Sequence, residues 1–145
     1  MIDFYTLFYF KFINGNLNND PHLWSLNQES PVYYAWSGLA FERVSFAHVT
    51  QIKSALGIGD VLSSVYFWHS SKETTKQKGA QIDMLIDRND QVIDICEMKY
   101  SKSRYSIVSN DHDILQNKIS RFRAETKTIK VIHIVIVATI GLTQN

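Results

Sequence analysis

The sequence contains little cysteine and has almost no net charge. Cys96 is the only cysteine among 145 residues, which excludes an internal disulfide framework and a multi-cysteine metal site. A single free thiol fits a reducing compartment, so we expect a cytoplasmic protein. The formal net charge is +1, and the chain as a whole therefore lacks the strong positive charge of many nucleic-acid-binding domains. Binding to a nucleic acid would have to use a local group of basic residues.

Long apolar runs are also absent. The stretch from Met1 to Ile13 is apolar and aromatic, but it lacks the basic start and the small-residue cleavage site of a signal peptide. The run from Val131 to Ile140 is about half of a membrane span in length and is rich in β-branched residues. Such a run is typical of a buried strand. We therefore expect no association with a membrane.

A third absence concerns nucleotide hydrolysis. The sequence contains no Gly-x-x-x-x-Gly-Lys-Ser/Thr motif, the loop whose backbone N–H groups hold nucleotide phosphates. The chain is therefore not a P-loop ATPase on its own. Its apolar fraction of 45% and its charged fraction of 20% are ordinary for a globular domain.

Apolar periodicity predicts an α/β protein with the core order helix, three strands, helix, strand. Ser37 is the predicted N-cap of the first core helix, and Gly57 its stop. We expect a helical segment over residues 1–30, packing on or leading into a domain over residues 31–145. The predicted elements are helices from Asp3 to Phe12, Pro21 to Leu26, Gly38 to Leu56 and Asn110 to Ala124, and strands from Val61 to His69, Ala80 to Asp87, Gln91 to Tyr100 and Ile129 to Thr139.

Two predicted strands form a hairpin that carries charged side chains among apolar ones. Glu97 and Lys99 lie two residues apart and therefore point to the same side of their strand. A three-residue loop pairing Asp87 with Gln91 would set Asp83 opposite Ile95, diagonal to Glu97 and roughly 5–8 Å from it at the Cβ atoms. By strict alternation Ile82, Met84 and Ile86 would share one face of the first strand, opposite to Asp83, Leu85 and Asp87.

These residue types together fit the chemistry of a metal-dependent phosphodiesterase. Two carboxylates, Asp83 and Glu97, can hold Mg²⁺ or Mn²⁺, hard ions that prefer oxygen ligands, and the main-chain carbonyl of Met98 is a further oxygen. A lysine next to the ion, here Lys99, can orient a water molecule and stabilise negative charge on a phosphate. The alternative is a solvated Glu-x-Lys surface pair, which is common on strands. Asp94 supports that alternative, because it shows that the same strand carries a charge on its other face.

The motifs resemble a known family over most of the chain. The sequence resembles the C-terminal domain, of the DUF234 kind, of bacterial and archaeal AAA-type ATPases. The resemblance implies a restriction-endonuclease-like PD-(D/E)XK fold, with a mixed central sheet flanked by helices. It rests on Asp3-Phe4-Tyr5-Thr6-Leu7-Phe8-Tyr9, Trp36-Ser37-Gly38-Leu39-Ala40-Phe41-Glu42, Gly79-Ala80-Gln81-Ile82-Asp83-Met84-Leu85-Ile86-Asp87-Arg88, Ile95-Cys96-Glu97-Met98-Lys99-Tyr100 and Gly141-Leu142.

The resemblance also implies further members of the site. A glutamate on the first core helix often joins the metal ligands, which corresponds to Glu42. A polar residue on the following helix sometimes joins the site as well, and here Gln116 is the nearest candidate and His112 a weaker one. Ile82, not proline, precedes Asp83, at a position that varies widely in the superfamily.

The resemblance implies partners that the sequence itself does not contain. An AAA-type ATPase module is expected in cis or in trans, nucleic acid is the expected substrate, and an open sheet edge would favour a homodimer. Three hypotheses stay open: a Mg²⁺-dependent nuclease, a non-catalytic module of the same fold that binds nucleic acid or protein, and a structural docking domain. Basic residues that could hold a phosphate backbone are Lys72, Lys76, Lys78, Lys99, Lys102, Arg104, Lys118, Arg121 and Arg123.

Overall fold

The computed structural model describes residues 3–15, 21–70 and 80–143 of the chain. Contacts divide the chain into two compact units, Met1–Ala40 and Phe41–Asn145. The predicted basic residues Lys72, Lys76 and Lys78 lie outside the described residues.

The first unit is held together by aromatic rings. Helix α1 (Phe4–Phe8) is capped by Asp3, whose Oδ1 accepts a hydrogen bond from the Thr6 N–H at 2.8 Å, and it continues as a π-helical turn at Tyr9–Ile13. Helix α2 (Leu23–Asn27) follows. The predicted helical segments at both places are confirmed. Edge-to-face and tilted contacts, with ring centroids 5.2–6.5 Å apart, join Phe8, Phe12, Trp24, Tyr33 and Trp36.

The long helix begins earlier than predicted. Helix α3 runs over Pro31–Ala47, so the predicted N-cap at Ser37 is wrong, and Ser37 is a buried residue inside the helix. Ser30 is the cap instead, since its Oγ accepts a hydrogen bond from the Tyr33 N–H at 3.1 Å. Pro31 then occupies the first helical position, where proline needs no N–H partner. The Ser-Pro pair was the stronger start signal.

The predicted single helix is also interrupted. Helix α3 ends at Ala47, and helix α4 follows over Val49–Ala55. His48 departs from helical geometry, and the Val44 carbonyl oxygen lies 2.8 Å from its ring Nδ1 and also accepts the His48 backbone N–H at 3.1 Å. The predicted stop at Gly57 is confirmed, because Gly57 has a φ of +70°, a left-handed conformation that glycine adopts without strain.

A four-stranded mixed sheet forms the centre of the second unit. The strands are β1 (Ser63–His69), β2 (Gln81–Arg88), β3 (Val92–Lys99) and β4 (Val131–Ala138), and their spatial order follows their order along the chain. β1, β2 and β3 are antiparallel neighbours, whereas β4 is parallel to β3. Helix α5 (Ser109–Thr126) lies between β3 and β4 in the sequence, as a parallel connection requires. The predicted α/β class and the order of its core elements are confirmed.

The hairpin register differs from the prediction. Asp87 pairs with Ile93 rather than with Gln91, because a longer turn, in which Gln91 adopts a φ of +67°, joins β2 to β3. The last described pair is Met84 with Cys96. Continuing this register brings Asp83 level with Glu97, not with Ile95 as predicted.

A β-bulge in β2 changes which side chains share a face. Tyr66 pairs with Leu85 and Trp68 pairs with Ile82, so Phe67 alone stands opposite two residues, Asp83 and Met84. The extra residue breaks the alternation of the strand. Ile82 consequently packs with Leu85, while Met84 packs with Ile86. The predicted common face of Ile82, Met84 and Ile86 is therefore wrong.

Both faces of the sheet are covered, which explains why the middle strands are buried nearly throughout. One cluster consists of Ile58, Met84, Ile86, Cys96 and Met98, with Phe41, Val49 and Ile52 packed against it. The other consists of Ile82, Leu85, Ile93, Ile95 and Phe122, with Trp68, Ile119 and Ile132 packed against it. In the described parts of the chain, no helix has the length and the apolar character needed to cross a membrane.

We expect Phe122→Ala to destabilise the second unit strongly. Phe122 is 1% exposed and meets the Trp68 ring edge-to-face at 5.4 Å, and removing a buried phenylalanine ring costs about 3–5 kcal/mol. Chemical unfolding measures the change. Ile129→Ala is the control, since Ile129 is 95% exposed; an equal loss in both variants would contradict the packing described.

Candidate functional site

Asp83 lies where β2 and β3 stop pairing. Its Oδ2 accepts a hydrogen bond from the Met98 N–H at 3.0 Å. Just beyond the last described residue pair of the two strands, a side chain thus replaces a backbone carbonyl as the hydrogen-bond acceptor. The bulge in β2 lies at the same place, and bulges often redirect a side chain beside a functional site. Asp83 therefore stays half-buried at the fork between the two strands.

Glu97 is the most buried acidic group of the site, with 6% of its surface exposed. Lys118 Nζ on α5 lies 2.6 Å from Glu97 Oε2, and Lys99 Nζ lies 3.4 Å from Glu97 Oε1. A carboxylate buried to this extent needs such partners, because an unpaired buried charge is costly. Each oxygen of Glu97 therefore faces an ammonium group.

Glu42 on α3 is electrostatically linked to this pair of acids. Burial first, and then the charges of Asp83 and Glu97, raise the pKa of Glu42 above its ordinary value. Burial also raises the pKa of Asp83, where the Met98 N–H acts against the increase and the charge of Glu97 adds to it. Three acidic side chains, Glu42, Asp83 and Glu97, thus repel one another at one place in the second unit.

Lys99 is held from two sides. Its Nζ lies 3.7 Å from Asp111 Oδ1 and 5.6 Å from the centre of the Tyr105 ring. The Tyr105 hydroxyl in turn donates to Asp111 Oδ2 at 2.8 Å, and the Val108 N–H donates to the same oxygen at 3.1 Å. Burial alone would lower the pKa of Lys99, but its acidic neighbours outweigh that effect and raise it. Lys99 therefore stays charged at neutral pH.

Helix α5 contributes different residues from those predicted. Asp111, Leu115 and Phe122 are buried, and Lys118 lies on the same side and reaches Glu97. Gln116 is exposed, and His112 is exposed with its ring 3.6 Å from the Asp113 carboxylate. The spacing of three to four residues between the buried positions was the signal that could have selected Lys118. The contacts of Tyr105 and Asp111 had no comparable signal.

Cys96 is separate from this chemistry. Its side chain is fully buried with Met84 and Ile86 on the other face of the sheet from Glu97. Burial raises the pKa of the Cys96 thiol to about 12, so the thiolate needed by a nucleophile does not form at neutral pH.

The donor set fits a hard divalent cation. Carboxylate oxygens of Asp83, Glu97 and Glu42 and the main-chain carbonyl of Met98 are the ligand types that Mg²⁺ and Mn²⁺ prefer. A cation would offset the burial and, after it, the repulsion that raise the pKa of Glu42 and of Asp83. Within residues 3–15, 21–70 and 80–143, no three His, Cys, Asp or Glu side chains already have the arrangement of a metal site. Lys118 holds one Glu97 oxygen and would have to move to release it.

Comparison with protein-family models, curated protein sequences and solved structures found no significant match to this chain.

We expect Glu42→Gln to stabilise the metal-free protein at neutral pH. The raised pKa means that folding favours the protonated form of Glu42. The contribution of Glu42 to stability is therefore complete below its ordinary pKa of 4.5, and it is lost as the pH rises through the raised pKa of the folded protein. At pH 7 the melting temperature of Glu42→Gln should exceed that of the wild type by a few degrees, with roughly 2–4 °C expected per kcal/mol.

The difference should become much smaller at pH 4, below the ordinary value of 4.5, where the wild-type side chain is mostly protonated in both states. Asp60→Asn, an exchange at an exposed carboxylate of the same unit, serves as the control at both pH values. A Glu42→Gln protein that is less stable than the wild type at pH 7 would contradict the electrostatic coupling.

Proposed function

We propose that this chain is a metal-dependent phosphodiesterase of the nuclease type that acts on nucleic acid. The observations that support the proposal are two. Asp83, which accepts the Met98 N–H at 3.0 Å, shares a cleft with Glu42, and the ammonium group of Lys99 lies 3.4 Å from the neighbouring Glu97 carboxylate. A phosphodiesterase needs hard oxygen ligands for a cation and a fixed positive charge near the scissile phosphate. In the second unit, carboxylates and an ammonium group lie at one end of the central hairpin.

Each residue has a role in this proposal. Asp83, Glu97, Glu42 and the Met98 carbonyl would hold Mg²⁺ or Mn²⁺, which supplies Lewis acidity at the phosphate and lowers the pKa of a water ligand. Lys99, fixed by Asp111 and Tyr105, donates from its ammonium group to the attacking water or to a phosphate oxygen. Asp111 and Tyr105 act as positioning residues, because their described contacts are to Lys99 and not to the proposed metal ligands.

A restriction-endonuclease-like fold of the DUF234 kind is part of the proposal. Its support is the element order α3, β1, β2, β3, α5, β4, with Asp83 on one strand and Glu97-Met98-Lys99 on the next. On this basis we further propose that the chain works with an AAA-type ATPase module, supplied in cis or in trans, as a nuclease or nuclease-like component.

Cleavage of a labelled oligonucleotide tests the proposed activity directly. We expect the chain to cut in Mg²⁺ or Mn²⁺ and not in EDTA, since the carboxylates alone cannot polarise a phosphate. Asp83→Asn and Lys99→Met should each lower the rate by about 10²–10³-fold or more, as removal of one charge-stabilising group does in other enzymes.

Asp113→Asn is the matched control, because Asp113 is an α5 carboxylate with 82% of its side chain exposed. It should cut at the wild-type rate. Equal rates in the wild type, Asp83→Asn and Lys99→Met would show that a contaminant cuts the oligonucleotide, and they would contradict the proposed activity.

A non-catalytic module of the same fold is the second candidate function. One observation favours it: the short contact between Lys118 and Glu97 occupies a carboxylate oxygen that a cation would use. In such a module the two lysines would replace the metal permanently, and nucleic acid or protein would bind without being cut.

Substitution of Lys118 separates the two candidates. In the enzyme we expect Lys118→Met to tighten Mn²⁺ binding by about tenfold, equivalent to ~1.4 kcal/mol, because the competing hydrogen bond to a charged group contributes about 1.5–3 kcal/mol. Titration calorimetry measures the affinity, with Lys127→Met as the control, since Lys127 is an exposed lysine at the end of the same helix. Absence of Mn²⁺ binding in both the wild type and Lys118→Met would favour the non-catalytic module.

A further inference from the structure

A cleft beside the carboxylates is lined by aromatic, apolar and polar side chains. It has a volume of about 540 Å³, within the range of small-molecule pockets. Asp83 and Glu42, two of the proposed metal ligands, form part of its wall. The remaining wall consists of Arg43, Phe46 and Ala47 of α3, Phe67 of β1 and Gln81 of β2.

We propose that this cleft binds an unpaired base of a single-stranded nucleic acid, stacked on the ring of Phe67. The proposal rests on the proposed function, because it places the base next to the phosphodiester that the carboxylates would cut. It adds the substrate class: a strand whose bases are free to leave the helical stack.

Phe67 is the first reason for this assignment. The ring is 67% exposed, although it lies in the middle of a strand of the central sheet. Phe67 is also the residue that faces the bulge containing Asp83, so its ring lies one strand away from the carboxylate at the same level of the sheet. The ring of His69 lies nearly parallel to it at an angle of 19°, with centroids 6.5 Å apart. The face thus presents flat rings, on which bases of any sequence can stack.

The polar groups of the cleft are the second reason. The positive charge of Arg43 lowers the pKa of Glu42, although burial and the charges of Asp83 and Glu97 raise it more. A guanidinium group can bind a phosphate or stack on a base. Gln81 is exposed and offers both a donor and an acceptor to a base edge. An apolar protein segment in the same place would bury Asp83 and Glu42 further without a partner, which is costly.

The charge of the chain is the third reason for a single strand rather than a duplex. Contacts of Lys and Arg to phosphates contribute to the binding of both duplexes and single strands, and more strongly to that of duplexes, whose charge density is higher, whereas the formal net charge here is +1. Two lysines of the site, Lys99 and Lys118, are engaged with Glu97. Stacking on an aromatic ring needs no excess of positive charge, and the ring is accessible only to a base outside a duplex.

Fluorescence anisotropy without divalent metal tests the assignment, with a labelled single strand of about 12 nucleotides, within the site size of single-strand binders. We expect the wild type to bind this strand more tightly than the corresponding duplex. Phe67→Ala should weaken binding of the single strand by roughly 5- to 100-fold, the range for loss of one base–aromatic stack. Phe67→Tyr, which keeps the ring, should restore it.

Tyr66→Ala is the matched control, since Tyr66 precedes Phe67 on β1 and does not line the cleft. It should bind the strand as the wild type does. A strand of the same length made of abasic sites should bind weakly and equally to the wild type and to Phe67→Ala. Thermal unfolding of each variant verifies that it is folded.

The outcomes separate this inference from the proposed function. Equal binding by Phe67→Ala and Tyr66→Ala, or a preference of the wild type for the duplex, would overturn the inference even if Asp83-dependent cleavage is observed. Binding that depends on Phe67, without any cleavage in Mg²⁺ or Mn²⁺, would support the base site and reject the phosphodiesterase.

Discussion

The hydrogen bond from the Met98 N–H to the Asp83 carboxylate determines the shape of the site. It joins the two strands of the hairpin at the point where their backbone pairing ends, so one acidic side chain takes over a donor that the ladder leaves free. The bond restrains Asp83 beside Glu97, the neighbour of Met98. If Asp83 pointed elsewhere, a buried backbone N–H would lose its partner, and such a loss costs about 1–3 kcal/mol. The backbone of the sheet therefore helps to keep a carboxylate in a position where two other carboxylates repel it.

The charges around Glu97 show how the fold tolerates this crowding. Two lysines neutralise the buried Glu97, but Glu42 and Asp83 retain raised pKa values. The protein thus carries more negative charge here than its lysines neutralise, an arrangement that lowers stability and is typical of sites that function with a bound cation. Under the proposed function, Lys118 occupies the place beside Glu97 that the cation would take. Lys99 has two further neighbours, Asp111 and the Tyr105 ring.

The sequence predicted the elements and the chemical residue types better than the geometry that brings them together. Strand composition and the order of elements were sufficient for the α/β class, and the charged residues of a largely apolar hairpin identified Asp83, Glu97 and Lys99. The bulge at Asp83 was not predictable, because a one-residue irregularity leaves no mark on an alternating pattern that is apolar on both faces. The hairpin register failed for a related reason: the turn could close with three residues or with a longer loop, and only contacts distant in sequence decide between them.

The ion pairs that favour the observed register lie at the turn end of the hairpin, and among them those of Lys130 join residues distant in sequence. Arg88 binds Asp90 in the turn and reaches Asp94, which is 2% exposed, while Lys130 donates to the Asp87 carboxylate at 2.7 Å and to the Arg88 carbonyl at 2.8 Å. A slip of the register would separate Arg88 from Asp94 and leave this buried carboxylate with the imidazole of His133, 3.5 Å away, as its remaining ring or charge partner among those described. The same slip would move Asp83 away from Glu97, because both ends belong to one hairpin. The ion pairs at the turn therefore favour the register that sets Asp83 level with Glu97. Asp94, whose charge supported the alternative of a solvated surface pair, takes part in these ion pairs.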